Sequence, residues 1–305
     1  MKILIIGLGS IATKHINALN SQYKDITFYA YRSKKNASKI DGIINLYELD
    51  ELNQKFDFAI ISNPTNLHAE FIKILANKNI DLFIEKPPVH SLNDIEKLIS
   101  TINDSNIQTY VACNLRFNPC IQFLKKYLST NTYSINEVNI YCGSYLPDWR
   151  PNKDYKTIYS ANAEMGGGVH LDLFHELDYT HWLFGKPLKS HSIKRSVSTL
   201  NINAFDYANY ILEYEKFTAN IVLNYYRKDP KRIIEIVFEN ETFNIDLIKN
   251  RITDSKEKII FESVNYNALD AYKFQMENFI TTLKSNQKQI NTFIESIEIL
   301  KTCLA

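Results

Sequence analysis

The chain has 305 residues, 45% hydrophobic and 23% charged, and its 35 Lys and Arg nearly cancel its 34 Asp and Glu. A chain this long is expected to form two domains with cores of their own, and its balanced charge offers no general nucleic-acid-binding surface. The first apolar run, residues 2–6, is too short for a leader or a spanning helix, and no other stretch would cross a bilayer. Cys113, Cys120, Cys142 and Cys303 lack C-x-x-C spacing, so they read as reduced, mostly buried thiols of a cytoplasmic protein that needs no metal.

Residues 2–6 form a short isoleucine-rich run ending at Gly7, the pattern of a strand buried on both faces of a parallel sheet. Gly7-Leu8-Gly9-Ser10-Ile11-Ala12 follows, and Ile11, His15, Ile16 and Leu19 then recur at helical spacing. In this strand-turn-helix context Gly7 permits the tight turn, Gly9 lets backbone amides approach a pyrophosphate, and Ala12 lets the helix pack closely on the strand. Ser10 and Ile11 open the helix, whose first amides and positive dipole end would face the phosphates.

A second strand is expected over residues 26–31. Where an NAD site usually places an acidic residue, the chain has Arg32-Ser33-Lys34-Lys35. A guanidinium binds a 2'-phosphate well and Ser33 adds a hydroxyl, so NADP(H) is the expected cofactor, with NAD(H) as the alternative and Arg32 as the main determinant. Strand 58–61, helix 69–77 and strand 80–84 continue the alternation of a parallel, doubly wound sheet. Ligands bind such sheets at the carboxyl ends of the strands. Ser62, Asn63, Pro64, Thr65 and His68, with Glu85 and Lys86, are therefore expected to border the cofactor.

Beyond Cys113 the pattern changes. A helix is expected over 121–128 and a strand over 138–145, followed by a loop rich in aromatic and polar residues. Trp149, Arg150 and Tyr155 in this loop suit a sugar, with rings against C–H groups and polar groups on hydroxyls. A packed loop covering the sheet edge fits the same residues. Gly166-Gly167-Gly168 then opens a helix carrying His170, Asp172 and His175. Asp172 lies three residues before His175, so on one helix the two would share a face and the carboxylate would orient the imidazole. Segments 208–213, 218–225, 233–238 and 243–247 alternate at period two, as antiparallel strands do. Helices close the chain at 268–283 and 292–304.

Gly7 to Ala12, Asn63-Pro64-Thr65 with His68, Glu85-Lys86-Pro87-Pro88, and Gly166 to Gly168 followed by Asp172, His175 and Asp178 together resemble the glucose/fructose oxidoreductase, inositol dehydrogenase and MocA (Gfo/Idh/MocA) family. The resemblance implies an α/β N-terminal Rossmann domain, residues 1–117, and an α+β substrate and oligomerisation domain, residues 118–305, built on a large, mostly antiparallel open sheet. The C-terminal helix is expected to pack back on the first domain. Lys86 and His175 correspond to the family's catalytic lysine and histidine. Asp172 is the third candidate, although the family often places its aspartate four residues before the histidine. Residues 114–119 resemble the family's crossing into its second domain, where Arg116 would meet a substrate or form a salt bridge across the crossing. His170 is a further substrate candidate.

The implied function is NAD(P)-dependent hydride transfer to or from a secondary alcohol or ketone of a sugar, nucleotide sugar or polyol. The loop after residue 145 resembles a branch linked to cell-surface sugar biosynthesis. A homodimer or homotetramer through the second sheet is expected, with no nucleic-acid or membrane partner. Two rivals share the fold: an NAD-dependent glycoside hydrolase and a non-catalytic dinucleotide sensor.

Overall fold

The computed structural model describes residues 1–33, 35 and 40–305. Lys34 lies outside them. The chain divides into two compact units, Met1–Asn114 with Ala268–Glu298, and Leu115–Asn267 with Ile299–Ala305.

In the first unit the order is β1 (Lys2–Ile6), α1 (Ser10–Gln22), β2 (Thr27–Tyr31), β3 (Ile43–Leu46), β4 (Phe58–Ile61), α2 (His68–Ala76), β5 (Leu82–Glu85), α3 (Ile95–Asp104) and β6 (Thr109–Ala112). The six strands pair in parallel in the order β3-β2-β1-β4-β5-β6, the arrangement of a dinucleotide-binding Rossmann sheet. β4, β5 and β6 are buried at every residue, as expected of strands covered on both faces. The order reverses between β1 and β4, and this switch point places Gly7, after β1, beside Asn63, after β4.

The second unit contains α4 (Pro119–Thr130), β7 (Ile135–Tyr145), α5 (Val169–Asp172), α6 (Phe174–Phe184), β8 (Lys189–Arg195), β9 (Tyr207–Glu213), β10 (Thr218–Asn224), β11 (Tyr226–Phe238), β12 (Thr242–Asp246), β13 (Arg251–Thr253) and β14 (Ile259–Glu262). Its eight-stranded sheet runs β14-β13-β12-β11-β7-β10-β9-β8, with only the β7–β10 pair parallel. The large, mostly antiparallel sheet expected for this half is therefore present. One face is apolar and buried, through Val138, Ile140, Tyr210, Leu212, Ile221, Leu223, Ile234 and Ile236. The alternate positions Asn139, Asn209, Ile211 and Val222 stay partly or wholly open.

The chain then adds α7 (Asp270–Lys284) and α8 (Phe293–Leu304). Met276, Phe279 and Ile280 of α7 complete the first unit's core against Phe58, Phe83 and Tyr110. Just before α8, Asn291 pairs with the outer edge of β6. Its carbonyl accepts from the Val111 amide and its side-chain amide donates to the Val111 carbonyl, both at 2.8 Å, while the Phe293 amide donates to Thr109 Oγ1 at 3.0 Å. An edge that would otherwise present unpaired backbone groups is covered. All four cysteines are buried and reduced, and burial pushes the Cys120 and Cys142 thiols up to about 12. No helix among the described residues is long and apolar enough to cross a membrane.

Candidate functional site

The turn after β1 has the features required for a dinucleotide. Gly7 sits at φ +87°, and a Cβ there would lie 2.4 Å from the Asn63 backbone, so only glycine fits without displacement. A Cβ on Gly9 would meet no atom of the described residues within 4 Å, leaving open space over the turn among them. No side chain among the described residues caps α1, so its first amides remain available to an anion. Ser62 donates to the Gly7 carbonyl at 2.9 Å and ties the two loops together. Both polar atoms of the Asn63 side chain are buried without a hydrogen-bond partner among the described residues. Leaving such atoms unpaired costs about 1–3 kcal/mol, and a cofactor group would satisfy them. These features fit a bound nicotinamide dinucleotide.

Arg32 follows β2 as expected, half-buried, and donates to Asn45 Oδ1 of β3 at 3.1 Å. Asn45 thus steers the guanidinium from a strand whose sequence carries little apolar signal. Ser33 is exposed. Pro64 is exposed and Thr65 buried.

His68, expected to border the cofactor, is engaged with the backbone. It is buried, with Nε2 2.9 Å from the Asn63 carbonyl and Nδ1 3.2 Å from the carbonyls of Pro87 and Pro88. Burial lowers its pKa, against the pull of those carbonyls. The ring braces the Asn63 loop against the segment after Lys86, whose bond to Pro87 is cis. Glu85, at the end of β5, is also buried. One carboxylate oxygen meets His15 Nε2 at 2.5 Å, and the other accepts from the Lys86 amide at 3.2 Å. Lys86 itself is partly exposed.

In the second unit the glycine run is close-packed. A Cβ on Gly167 would lie 2.1 Å from the Tyr159 carbonyl, and Gly168 adopts φ +130°. The single helix expected to carry Asp172 and His175 is interrupted. Leu173, at φ −96° and ψ 33°, separates the one-turn α5 from α6, so the two residues do not share the face of one continuous helix. Separate anchors hold the two pieces: Tyr225 donates to Asp172 Oδ2 at 2.5 Å, while Glu176 and Asp178 of α6 accept from Arg232 and Arg116. Asp172 and His175 are both half-open to solvent.

Arg116, expected to meet a substrate or to bridge the crossing, is 4% exposed and chelated by Asp178 within the second unit. Its guanidinium is occupied structurally rather than presented to a ligand. His170 is buried beside Phe205 at a centroid distance of 5.3 Å, and burial, with the positive charge of Lys194, lowers its pKa to about 4. Tyr155 donates its hydroxyl to the Leu200 carbonyl. Trp149 is 37% exposed, donates to Ser144 Oγ and stands edge-on to Tyr225. Arg150 is exposed. Trp149, Tyr225 and Asp172 therefore form a connected chain, and sequence reading had missed its middle member.

Known proteins share this fold. Residues 1–113 match the model of an oxidoreductase family with an NAD-binding Rossmann fold, and residues 134–244 match the Gfo/Idh/MocA C-terminal domain. The myo-inositol 2-dehydrogenase of Thermotoga maritima is 25% identical over 200 residues, covering 62% of this chain and 56% of that protein. The scyllo-inositol 2-dehydrogenase (NADP(+)) IolU of Bacillus subtilis is 24% identical over 287 residues, covering 89% and 84%. The chain spans about a third to a little over half the length of the first curated relatives it matches. The crystal structure of the WlbA dehydrogenase from Bordetella pertussis, in complex with NADH and UDP-GlcNAcA, superposes with a TM-score of 0.83 at 17% identity, covering 98% of this chain and 92% of that one. With both of its halves matched, the chain belongs to the Gfo/Idh/MocA family of oxidoreductases.

Proposed function

We propose that the protein transfers a hydride between a nicotinamide dinucleotide, NADP(H) by preference, and a secondary alcohol or ketone of a sugar, nucleotide sugar or polyol. The observation that carries this reading is the cradle of Gly7, Gly9 and the buried Asn63 amide, unpartnered among the described residues, in the same unit as Lys86. When bound, the cofactor supplies or accepts the hydride. In the oxidative direction His175 takes the proton of the substrate hydroxyl, and Lys86 donates a hydrogen bond to that oxygen as negative charge grows on it. General acid-base help of this kind is worth about 10² to 10⁴ in rate. Asp172, held by Tyr225, gives the His175 end of the site a fixed negative charge.

Arg32, steered by Asn45, supports the NADP(H) preference, as does the NADP-dependent name of one relative. Trp149 and Arg150 are the proposed sugar contacts, and a role in cell-surface sugar biosynthesis follows from the loop that carries them. Assembly as a homodimer or homotetramer is proposed through the open face of the eight-stranded sheet, with a cytoplasmic location.

Titration with NADPH and NADH, read by nicotinamide fluorescence, tests the cofactor reading. Micromolar NADPH binding that Arg32→Asp weakens about tenfold or more is expected. Equal affinity of both proteins for NADPH would remove Arg32 from the reading, and binding of neither cofactor would overturn the redox assignment.

A further inference from the structure

A cleft of about 460 Å³ opens in the first unit away from the glycine turn. It lies between the end of α3, the start of β6 and the segment joining α7 to α8. Gln108 lines it and immediately precedes β6, so the cleft sits at the amino end of the parallel sheet, whereas Gly7 follows β1 at the carboxyl end. Dinucleotides bind such sheets at the carboxyl end, and this cleft is a separate place in the fold. Its volume falls within the range of about 300–1,000 Å³ usual for small-molecule sites.

Three amides of the lining are held in a chain. The Gln289 side chain donates to Gln108 Oε1 at 3.0 Å and to the Phe279 carbonyl at 3.2 Å, and the Gln108 side chain donates to Asn286 Oδ1 at 3.3 Å. The backbone of Gln108 is fixed as well, its N–H donating to Asp81 at 2.6 Å. Gln289 is 3% exposed, yet its Oε1 has no hydrogen-bond partner among the described residues. A buried acceptor that is one donor short is unfavourable, and a ligand hydroxyl would supply the donor. Asn103, Asn106 and Gln287 add exposed amides around the same cleft. The lining offers little charge, because the Lys288 ammonium meets Glu295 at 2.8 Å and that carboxylate also accepts from the Thr292 amide at 3.1 Å. Ile102, Ile107 and Ile294 supply its apolar part, and no aromatic ring lines it among the described residues.

A primary amide presents donors and an acceptor side by side, and a pair of neighbouring hydroxyls presents the complement. An anion would call for an uncommitted cation, and a flat base for a stacking face; the described lining provides neither. We propose that this cleft binds a neutral polyhydroxylated molecule, a sugar or a cyclic polyol, with its hydroxyls on Gln108, Asn286 and Gln289 and its C–H groups against the three isoleucines. The site is independent of the proposed hydride-transfer site, since none of the residues assigned there to cofactor, substrate or catalysis lines it.

The test reads binding without turnover. Saturation-transfer NMR is run with glucose, myo-inositol, sucrose and maltose as neutral probes, and with gluconate and adenosine as the anionic and flat-ring controls. Wild type is compared with Gln108→Leu, which removes the middle amide of the chain, and with Asn103→Met, which puts a longer apolar chain at an exposed position of α3 beside the cleft. Any signal from the hydride-transfer site is common to all of these proteins. Transfer to at least one neutral probe is expected to fall about threefold or more in both variants, the effect of losing a hydrogen bond or two. NADPH affinity is expected to stay within about twofold, because no phosphate contact is removed. If Gln108→Leu does not fold, Asn103→Met decides alone. The proposal is overturned if no neutral probe shows transfer, if transfer to every neutral probe is the same in Asn103→Met as in wild type, or if the variants lose gluconate or adenosine instead. A protein that shows the expected loss but binds no dinucleotide would leave the cleft's assignment standing and sink the proposed function alone.

Discussion

The guanidinium of Arg116 and the carboxylate of Asp178 meet in two hydrogen bonds of 2.9 and 2.6 Å, with both side chains buried. The pair joins the residues leading into α4 to the middle of α6, the helix that begins with His175 in its first turn. Removing one partner strands the other charge away from water, so Arg116→Met is expected to destabilise the second unit by about 3–5 kcal/mol. The double variant Arg116→Met with Asp178→Leu should lose less than Arg116→Met alone. Urea unfolding of the three proteins checks this, and a single variant with the wild-type midpoint would show that the pair is dispensable.

The two glycines of the first turn should separate when substituted. Gly7→Ala meets the Asn63 backbone and holds alanine at positive φ, so a loss of about 1–3 kcal/mol in stability is expected together with loss of cofactor binding. Gly9→Ala enters open space and should leave the melting temperature almost unchanged. It would still weaken NADPH binding about tenfold or more by occupying the room a pyrophosphate needs. Calorimetry and fluorescence titration on both variants read the difference.

His170 should make the fold sensitive to acid. Its folded pKa, lowered to about 4 by burial and by Lys194, lies below the ordinary 6.5. The unfolded chain therefore binds the proton first. The contribution of the neutral ring to stability is complete above 6.5 and is lost as the pH falls toward about 4, a change of roughly 2–3 kcal/mol. His170→Gln is expected to flatten that part of the stability profile, measured by urea unfolding at several pH values. The same slope in variant and wild type would assign the acid sensitivity to other groups.

Tyr225→Phe removes the 2.5 Å bond to Asp172 and leaves the ring against Trp149. A hydrogen bond to a charged group is worth about 1.5–3 kcal/mol, so a loss within that range is expected. Because burial raises the pKa of Tyr225 well above its ordinary value, the phenol stays protonated across the neutral range and no pH dependence should accompany the loss.

What sequence disclosed depended on how local the cause was. β1, β4 and β5 were legible because strands buried on both faces are apolar at nearly every position, and the Gly7 to Ala12 turn because its geometry comes from its own residues. β3 passed unnoticed because it is four residues long with only Leu46 fully buried, and β8 because its inward positions are Ser190, Ser192 and Lys194 rather than aliphatics. α3 differs, because its apolar stripe Ile95, Leu98 and Ile102 is visible in the sequence at helical spacing. The site was legible by residue type but not by partner. His15 finds Glu85 seventy positions away, the break at Leu173 separates segments with different distant anchors, and nothing near Arg116 in sequence announces Asp178.

The cover that Asn291 places on β6 also bears on how the protein is made. Residues 1–114 leave the ribosome with their outer strand unpaired and with Phe58, Phe83 and Tyr110 lacking the α7 side chains that later close over them. The whole of 115–267 must be synthesised before those side chains exist, a wait of about ten to thirty seconds at ordinary elongation rates. The first half of the protein is thus begun first and finished last, and a nascent chain stalled in that interval carries a sticky strand edge that chaperones would be expected to shield.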